Sequence, residues 1–250
     1  SDTIAVGHSA GGTSQGTNSV AIGGAAGLSN QGTNAVAVGR SAGRTSQGTH
    51  CVAVGQEAGK SNQTAFATAL GSSAGATSQG ASAVAIGRLA GLSNQGTETV
   101  AVGKESGKIS QGAYTVAVGS TAGLSNQGAY ATALGTQAGQ TSQGVFATAL
   151  GSTAGMTNQE PLAVAIGRDC GTTSQGCHAV AVGYGSGNSK QGIHATAVGH
   201  AAGLNVQGAF GVALGASAGT TSQGANAVAV GPIAGNNNQG TQAVAVGYAA

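Results

Sequence analysis

The sequence predicts an all-β protein, a β-solenoid in which each coil is one sixteen-residue repeat. The first observation is a glycine that recurs at this constant spacing from Gly7 and Gly23 to Gly247, without an insertion or a deletion. The second is a segment of the type Ala-Val-Ala-Val in each repeat, where small and β-branched side chains alternate as they do in β-strands. The third is that the apolar residues show no helical period, and one repeat is too short for a strand and a helix together.

The composition agrees with a repeat protein and excludes several other classes. The chain has 250 residues, of which 48 are glycine, while 6% are charged and 3% are aromatic. An ordinary globular domain has about 7% glycine and about 25% charged residues. Collagen is excluded because glycine does not fill every third position and the chain has two prolines. The 40% of apolar residues, mostly alanine and valine, argue against a disordered chain.

The glycines are placed at fixed points of the repeat, which we number from Gly7 and its equivalents as position 0. Position 4 is glycine in every complete repeat, from Gly11 to Gly235, and position 9 is glycine except at Thr64 and Glu160. These three positions hold 44 of the 48 glycines. They predict the corners of a coil, where a positive φ or a close approach of two backbones is required.

The strand of each coil is predicted at positions 12–15. We expect positions 13 and 15, for example Val20 and Ile22, to point into the coil, and the invariant alanine at position 14 to point outward against neighbouring chains. Coils stacked about 4.8 Å apart would form a rod roughly 70–75 Å long. Because the core of one chain is thin, we expect a homotrimeric fibre. Residues 1–250 would be a single repeat domain of about fifteen and a half coils without caps, a segment of a longer chain.

Position 8 is glutamine in every complete repeat. One interpretation is a ladder of amides that hydrogen-bond from coil to coil along the axis. The other is that each glutamine closes the turn of its own coil. The first members of this structural ladder are Gln15, Gln31, Gln47, Gln63, Gln79 and Gln95.

Position 7 alternates between serine and asparagine from Ser14 to Ser174 and then changes to Lys190 and Val206. The superperiod is therefore two coils. It is explained either by duplication of a two-coil unit or by Ser and Asn side chains that bridge to one another in a stack.

The hexapeptide NSVAIG at 18–23, with its variants NAVAVG at 34–39 and SAVAIG at 82–87, carries a resemblance. It resembles the head repeats of YadA-like trimeric autotransporter adhesins, and similar repeats occur in tail fibres of bacteriophages and in proteins of large DNA viruses. The resemblance covers the whole chain. It implies left-handed parallel β-rolls that assemble as trimers and form surface adhesins or fibres.

Residues that vary between repeats are the candidates for contact with other molecules. All charged residues lie at variable positions, and most of them surround the corner formed by positions 1, 2 and 5. Aromatic residues and histidines recur at position 11, which accepts asparagine and glutamate in other repeats and is therefore expected at an exposed rim. The candidate rim contacts are Phe66, Tyr114, Tyr130, Phe146, Phe210, His178 and His194.

Leucine replaces valine or isoleucine at position 15 in four repeats, and each time an aromatic residue stands four residues earlier. One explanation is coupled packing of two side chains on the same strand face. The other is an aromatic stripe that grips a glycan or a receptor. The four leucines are Leu70, Leu134, Leu150 and Leu214.

No catalytic, cofactor-binding or metal-binding residues are predicted. His178 and His194 should stack one coil apart, but no column of carboxylates accompanies them to complete a metal site. The three cysteines have no CxxC spacing. Cys51 and Cys177 each neighbour a histidine in sequence, but neighbours on a strand point to opposite faces, and Cys170 replaces a core alanine. We therefore expect no enzymatic activity.

The expected function is that of a non-enzymatic structural fibre or adhesin segment on a bacterial, phage or viral surface. It would act as a rigid extracellular spacer whose partners are further copies of itself, as a homotrimer or an end-to-end filament, and a host receptor or glycan. No basic cluster predicts binding to nucleic acid, and no apolar run predicts membrane insertion. The alternative is an ice-binding β-solenoid that uses the threonines and serines of position 6, such as Thr13 and Ser29, although Ile109, Asn205 and Asn237 interrupt them.

Overall fold

The computed structural model describes residues 2–250, which are all-β and contain no α-helix. The chain divides into two compact units, of which the first ends at Asn126 and the second is Gln127–Ala250. Both consist of parallel strands stacked into a β-solenoid, with about 15 turns of 16 residues in all. The predicted all-β β-solenoid with coils of 16 residues is therefore confirmed. None of the described residues lies in a helix long and apolar enough to cross a membrane.

The first unit contains short strands of three residues each. They are β1 (Ile4–Val6), β2 (Thr13–Gln15), β3 (Val20–Ile22), β4 (Ser29–Gln31), β5 (Val36–Val38), β6 (Thr45–Gln47), β7 (Val52–Val54), β8 (Ser61–Gln63), β9 (Thr68–Leu70), β10 (Thr77–Gln79), β11 (Val84–Ile86), β12 (Ser93–Gln95), β13 (Val100–Val102), β14 (Ile109–Gln111) and β15 (Val116–Val118), while β16 (Ser125–Gln127) includes the division between the units.

The second unit repeats this pattern, with two strands shortened to two residues. Its strands are β17 (Thr132–Leu134), β18 (Thr141–Gln143), β19 (Thr148–Leu150), β20 (Thr157–Gln159), β21 (Val164–Ile166), β22 (Thr173–Gln175), β23 (Val180–Val182), β24 (Lys190–Gln191), β25 (Thr196–Val198), β26 (Val206–Gln207), β27 (Val212–Leu214), β28 (Val228–Val230) and β29 (Val244–Val246).

Each coil contributes one strand to each of two parallel sheets. The valine strands carry positions 13–15 and are the odd-numbered strands up to β27 together with β28 and β29; the glutamine strands carry positions 6–8 and are the even-numbered strands up to β26. In both units every strand pairs with the equivalent strand of the next coil. The register is a shift of one repeat, so that Ala37 pairs with Ala53 and Gln47 with Gln63.

The glycines at positions 0 and 4 are required by close approach as well as by φ. A Cβ on Gly39, whose φ is 126°, would lie 2.5 Å from the carbonyl oxygen of Gly55 in the next coil. A Cβ on Gly43, whose φ is 49°, would lie 2.5 Å from Oε1 of Gln47 inside the same coil. The first glycine column therefore sets the coil spacing, and the second leaves room for the glutamine.

Three further corners of the coil are left-handed without being glycine. Ser41 at position 2, Ser46 at position 7 and His50 at position 11 have φ values of 58°, 55° and 58°. Such residues are uncommon in left-handed conformation. The backbone N–H groups of Ser41 and His50 each donate to a carbonyl of the preceding coil at 2.9 Å, and these bonds hold the conformation.

The left-handed conformation also accounts for the residue types at position 7. Asn30 and Ser46 adopt it, whereas Lys190 and Val206, where the alternation ends, do not. Instead Lys190 pairs directly with Val206 between the shortened strands β24 and β26. Asparagine is enriched in this region of φ and ψ, but nothing in the structure explains why serine and asparagine alternate.

The interior of each coil is lined by small side chains, which corrects the predicted orientation of the valine strand. Ala37 at position 14, Ala42 at position 3 and Ala35 at position 12 are fully buried. Side chains at positions 13 and 15 point outward, and Leu70 is 45% exposed. The expectation of valine inside and alanine outside was wrong because the glutamine amide already fills the interior, which leaves space for a methyl group but not for a valine.

We expect Gly71→Ala to lower the free energy of unfolding by about 2–4 kcal/mol, because a residue at φ 128° would be strained and its Cβ would lie 2.8 Å from the carbonyl group of Gly87. Urea denaturation followed by circular dichroism measures the loss. The control is Gly24→Ala, where a Cβ meets no atom within 4 Å, and a change of less than about 0.5 kcal/mol is expected there. Equal stability of the two variants would contradict the close-approach role of position 0.

Candidate functional site

The glutamine at position 8 crosses the interior of its coil and ties the two sheets together. Gln63 is 1% exposed, and its Nε2 donates to the carbonyl oxygens of Val52 and Ala67, both at 3.1 Å. Val52 begins a valine strand, and Ala67 directly precedes the next one. The amide therefore satisfies backbone acceptors of the opposite sheet, which would be costly to leave unpaired in a buried site.

The same amides also bond to one another along the stack. Nε2 of Gln63 donates to Oε1 of Gln79 at 3.0 Å, and its own Oε1 accepts from Nε2 of Gln47 at 3.2 Å. Both roles considered for position 8 thus operate together. Such rungs join Gln15–Gln31, Gln47–Gln63, Gln63–Gln79 and Gln95–Gln111 in the first unit, and Gln127–Gln143, Gln143–Gln159, Gln159–Gln175, Gln191–Gln207 and Gln223–Gln239 in the second.

The ladder is interrupted at four points. Within residues 2–250, the buried Oε1 atoms of Gln47, Gln95, Gln191 and Gln223 have no hydrogen-bond partner. The amide of the preceding coil does not reach these atoms. The ladder is therefore a series of short runs, and the bonds to backbone carbonyls are its more regular part.

The outer surface of the valine strands is an exposed apolar sheet, which we call the valine face and define by the side chains at positions 13 and 15. In the first unit Ile22 is 39% exposed, Leu70 45% and Ile86 36%. In the second unit Leu150 and Ile166 are 40% and 36% exposed. This face contains no charged residue, since positions 13 and 15 hold only valine, isoleucine, leucine and threonine.

Sequence reasoning missed this face, although a signal for it was present. Position 13 is threonine at Thr68, Thr132, Thr148 and Thr196. A hydroxyl at a position taken to be the core of a coil needs a buried partner, whereas on an outer surface it needs none. The threonines were therefore evidence that position 13 points outward.

The predicted rim residues at position 11 form an aromatic stripe along one edge of the valine face. In the first unit the rings of His50 and Phe66 stack with centroids 5.0 Å apart and planes 8° apart. In the second unit stacked pairs are Tyr130–Phe146 at 4.7 Å, His178–His194 at 4.8 Å and His194–Phe210 at 5.0 Å. Phe66, Tyr114, Tyr130, Phe146 and Phe210 are each between 45% and 59% exposed.

Stacking covers part of the surface of these rings. The ring of Phe66 stacks on His50, that of Phe146 on Tyr130 and that of Phe210 on His194. The remaining surface of the three phenylalanines is exposed and can contact another apolar surface.

The histidines of the stripe do not form a metal centre with other ligands. His178 and His194 lie at the coil spacing that the sequence predicts. In the part of the chain that the structure describes, no group of three or more histidine, cysteine, aspartate or glutamate side chains is close enough to hold a metal ion.

The three cysteines are free thiols in different environments. Cys51 and Cys170 are buried, and Cys177 is half-buried. Burial raises the pKa of the Cys170 thiol to about 12 and also raises the pKa of Cys51. His50 lies on the exposed rim and stacks on Phe66, while the Cys51 thiol donates to the carbonyl oxygen of Thr64 at 2.8 Å. Cys51 and His50 therefore do not form a nucleophile–base pair.

Charged residues form a small network at the corner of positions 1, 2 and 5. Glu105 accepts from Lys108 at 3.2 Å and from Arg88 at 3.3 Å. The hydrogen bond from Lys108 is the main cause that lowers the pKa of the Glu105 carboxyl. Lys60 pairs with Glu57 at 3.5 Å. Exposed pairs of this kind contribute about 0–1 kcal/mol each, so the corner is mainly a solvated rim.

A groove of about 480 Å³ lies on the second unit where position 7 changes to Lys190 and Val206. Its floor consists of position-9 glycines, which have no side chain to fill it. Glu160, Asn158 and Ser174 contribute to its walls. The groove thus combines one carboxylate and one ammonium group with an otherwise neutral lining.

Several threonine hydroxyls at position 6 donate to the chain itself. Oγ1 of Thr77 donates to the carbonyl oxygen of Leu92 at 3.2 Å, and Oγ1 of Thr157 donates to that of Thr172 at 3.1 Å. Each bond reaches the neighbouring coil. These hydroxyls therefore strengthen the stacking of coils, and their protons are not directed to solvent.

The comparison with known proteins adds no relative. No family model matches the chain, and no curated protein or solved structure matches it significantly. The geometry of the coil and the resemblance of the hexapeptide are the remaining grounds for a function.

We expect Gln63→Glu to destabilise the protein at pH 7 and to recover as the pH falls. A carboxylate would face the carbonyl oxygens of Val52 and Ala67, so the pKa of Glu at position 63 would be raised above its unfolded value. The stability deficit relative to the parent chain then grows with rising pH by up to about 1.4 kcal/mol per pH unit between the two pKa values.

The matched control is Gln56→Glu, an exposed glutamine of the same coil, whose stability should follow the parent chain at all pH values. Urea titrations between pH 4 and pH 8 measure both variants. A pH-independent deficit for Gln63→Glu would contradict the buried, acceptor-lined site.

We also expect one of the three cysteine thiols to be alkylated faster than the other two. At pH 8 iodoacetamide should alkylate the half-buried Cys177, whereas the buried Cys51 and Cys170, whose pKa values are raised, should react only in urea. Mass spectrometry of the digested protein reports each site. Labelling of Cys170 in the folded chain at the rate of Cys177 would contradict its burial.

Proposed function

We propose that the chain is a non-enzymatic structural segment of a fibre or adhesin, a rigid spacer that self-associates through the valine face. The observation that carries the proposal is that position 15 is always apolar although its side chains are exposed to solvent. This position is valine, isoleucine or leucine in all sixteen repeats, although Leu70 and Leu134 are 45% and 42% exposed. Position 11, which is also exposed, accepts asparagine and glutamate. A position that is exposed but never polar is one that another surface covers in the assembled protein.

The size of the face supports this proposal. Positions 13 to 15 span about 7 Å of strand and seven to eight stacked coils about 35 Å, so the backbone beneath the valine face of each unit covers about 240 Å². Aromatic residues at position 11, such as Phe66, extend this apolar surface in some repeats. Exposed apolar patches of a few hundred Å² are often functional on soluble proteins.

The homotrimer and the surface location follow from the hexapeptide resemblance. In the YadA-like heads, left-handed β-rolls assemble as trimers on a cell surface, and the repeats 18–23, 34–39 and 82–87 resemble theirs. We therefore propose a homotrimer with its valine faces turned to a common axis, located outside the cell or on a virion. Variable residues at the remaining corners would then be the contacts for a receptor or a glycan.

Rigidity supports the role of a spacer. Gln63 alone joins four other residues of three coils, and backbone bonds such as Gly59 to Ala74 at 2.9 Å continue around the corners. A coil cannot bend away from its neighbour without breaking several of these bonds.

We expect the double variant Leu70→Lys with Ile86→Lys to be a folded monomer. Two ammonium groups on the valine face would be desolvated in an assembly, which costs several kcal/mol, but they remain in water on a single chain. The mass measured by light scattering should fall from three times the 23.2-kDa mass of the chain to that of one chain. The β-type circular dichroism spectrum should stay unchanged.

The control adds the same charge to exposed residues of the glutamine strands, as Thr13→Lys with Thr77→Lys. This variant should keep the trimer mass. A parent chain that is already monomeric at micromolar concentration would overturn the proposed assembly.

A further inference from the structure

Leucine at position 15 occurs only in repeats with an aromatic residue at position 11. In the pairs Phe66–Leu70, Tyr130–Leu134 and Phe146–Leu150 the intervening residues are the same, Ala-Thr-Ala, so these three repeats could reflect copying of a block. The pair Phe210–Leu214 keeps the aromatic residue and the leucine although Gly211 and Val212 stand in place of the alanine and the threonine between them. This indicates that the aromatic residue and the leucine are linked to each other.

Within one chain the two side chains do not bury each other. Phe66 is 59% exposed and Leu70 is 45% exposed; Phe210 and Leu214 are 52% and 37% exposed. Four residues of extended chain separate the members by up to about 13 Å. The outward side chain of position 13, Thr68 in the first pair, lies between them. Both members of each pair therefore retain exposed surface for a contact outside the chain.

A second copy of the chain provides this contact when the symmetry axis runs along the stack of coils. Rotation about such an axis keeps each coil at its own height and brings the position-11 edge of one valine face beside the position-15 edge of the next. A two-fold axis parallel to the strands would instead place position 11 against position 11. The pairing of an aromatic with a leucine in the same repeat thus selects the rotation about the coil axis.

A uniform valine face also needs a device that sets its axial register. Because every coil has the same length, a second copy shifted along the axis by one coil would again place valine strands beside valine strands and would lose little contact. A uniform pattern therefore specifies the register between the copies only weakly. The aromatic–leucine pairs are large and unevenly spaced along the chain. A shift by one coil would place Val198 or Val230, which are smaller than leucine, opposite Phe210, and Val54 or Ile86 opposite Phe66. Phe146 would still meet a leucine, Leu134, for a shift in one direction, so the pairs at Phe66 and Phe210 determine the register.

We propose that these pairs are the register key between copies of this chain: Phe66 of one copy packs on Leu70 of the next at the same height, and Phe146–Leu150 and Phe210–Leu214 do the same. The inference rests on the proposed self-association and adds the contacts and the zero axial shift. The occupant of the aromatic edge is therefore a second copy of the chain.

Cross-linking tests the pairing. In a background with Cys51→Ala, Cys170→Ala and Cys177→Ala, which restores the alanine common at these positions, the variant Phe66→Cys with Leu70→Cys is oxidised. Closed rings of covalently joined chains are expected, and non-reducing gels should show the mass shift from one chain to three. A disulfide within one chain would leave the mass of one chain unchanged, so only links between chains produce the shift. Phe210→Cys with Leu214→Cys repeats the test in the second unit.

The control shifts one partner by a coil, as Phe66→Cys with Ile86→Cys, and should remain at the mass of one chain. If the control were cross-linked and the in-register pair were not, the zero axial shift would be overturned. If neither variant were cross-linked although the protein has the mass of a trimer, the aromatic–leucine pairing would be overturned but the proposed assembly would not. A monomer by light scattering, with intact β structure, would overturn the proposed assembly itself.

Discussion

The carboxamide at position 8 is the interaction on which the coil depends. It fills the space between the two sheets, donates to backbone carbonyls of the opposite strand and leaves no volume for a larger neighbour. A Cβ on Gly59 would lie 2.6 Å from Oε1 of Gln63 and 3.1 Å from Cβ of Ala53. The constancy of glycine at position 4 and of alanine at position 14 therefore follows from the glutamine. The residue types at positions 4, 8 and 14 thus depend on one packing constraint.

The same constraint forces the larger apolar side chains outward. An interior one methyl group and one amide wide cannot hold the valine, isoleucine and leucine of positions 13 and 15, so they form an external sheet. Burial of alanine methyls alone contributes little per coil at about 25 cal/mol per Å² of apolar surface. Hydrogen bonds and close backbone packing hold the single chain, and the stronger apolar contribution becomes available only when the valine face is covered. In the proposed assembly, folding of the coil and association of the chains thus use different side chains of the same strand.

The sequence was sufficient for the period, the valine strands and their register, because the constant spacing from Gly7 to Gly247 and the alternation of Ala with Val are direct consequences of stacked strands. It also placed the imidazoles of His178 and His194 one above the other, at the observed 4.8 Å. It did not predict the glutamine strands at positions 6–8, and it did not determine which strand face was internal. Alternation defines two faces, and hydrophobicity favoured the valines for the core, but the width of the interior is set by the fit of Gln63 against Gly59, which no periodicity displays.

Positions 11 and 15 show how an exact repeat can still carry specific information. Position 15 is restricted to apolar residues in every coil, which is expected on a covered surface, whereas position 11 ranges from Phe66 to Glu98, which is expected where the surface meets solvent. An aromatic ring at such an edge is useful only if a partner reaches it. In the proposed assembly Leu70, which extends further than the valine found in other coils, would bring the facing surface within reach of the ring. The aromatic residues and leucines that depart from the repeat therefore make some coils different from their neighbours. Without such differences, every axial position of one copy against another would offer the same contacts.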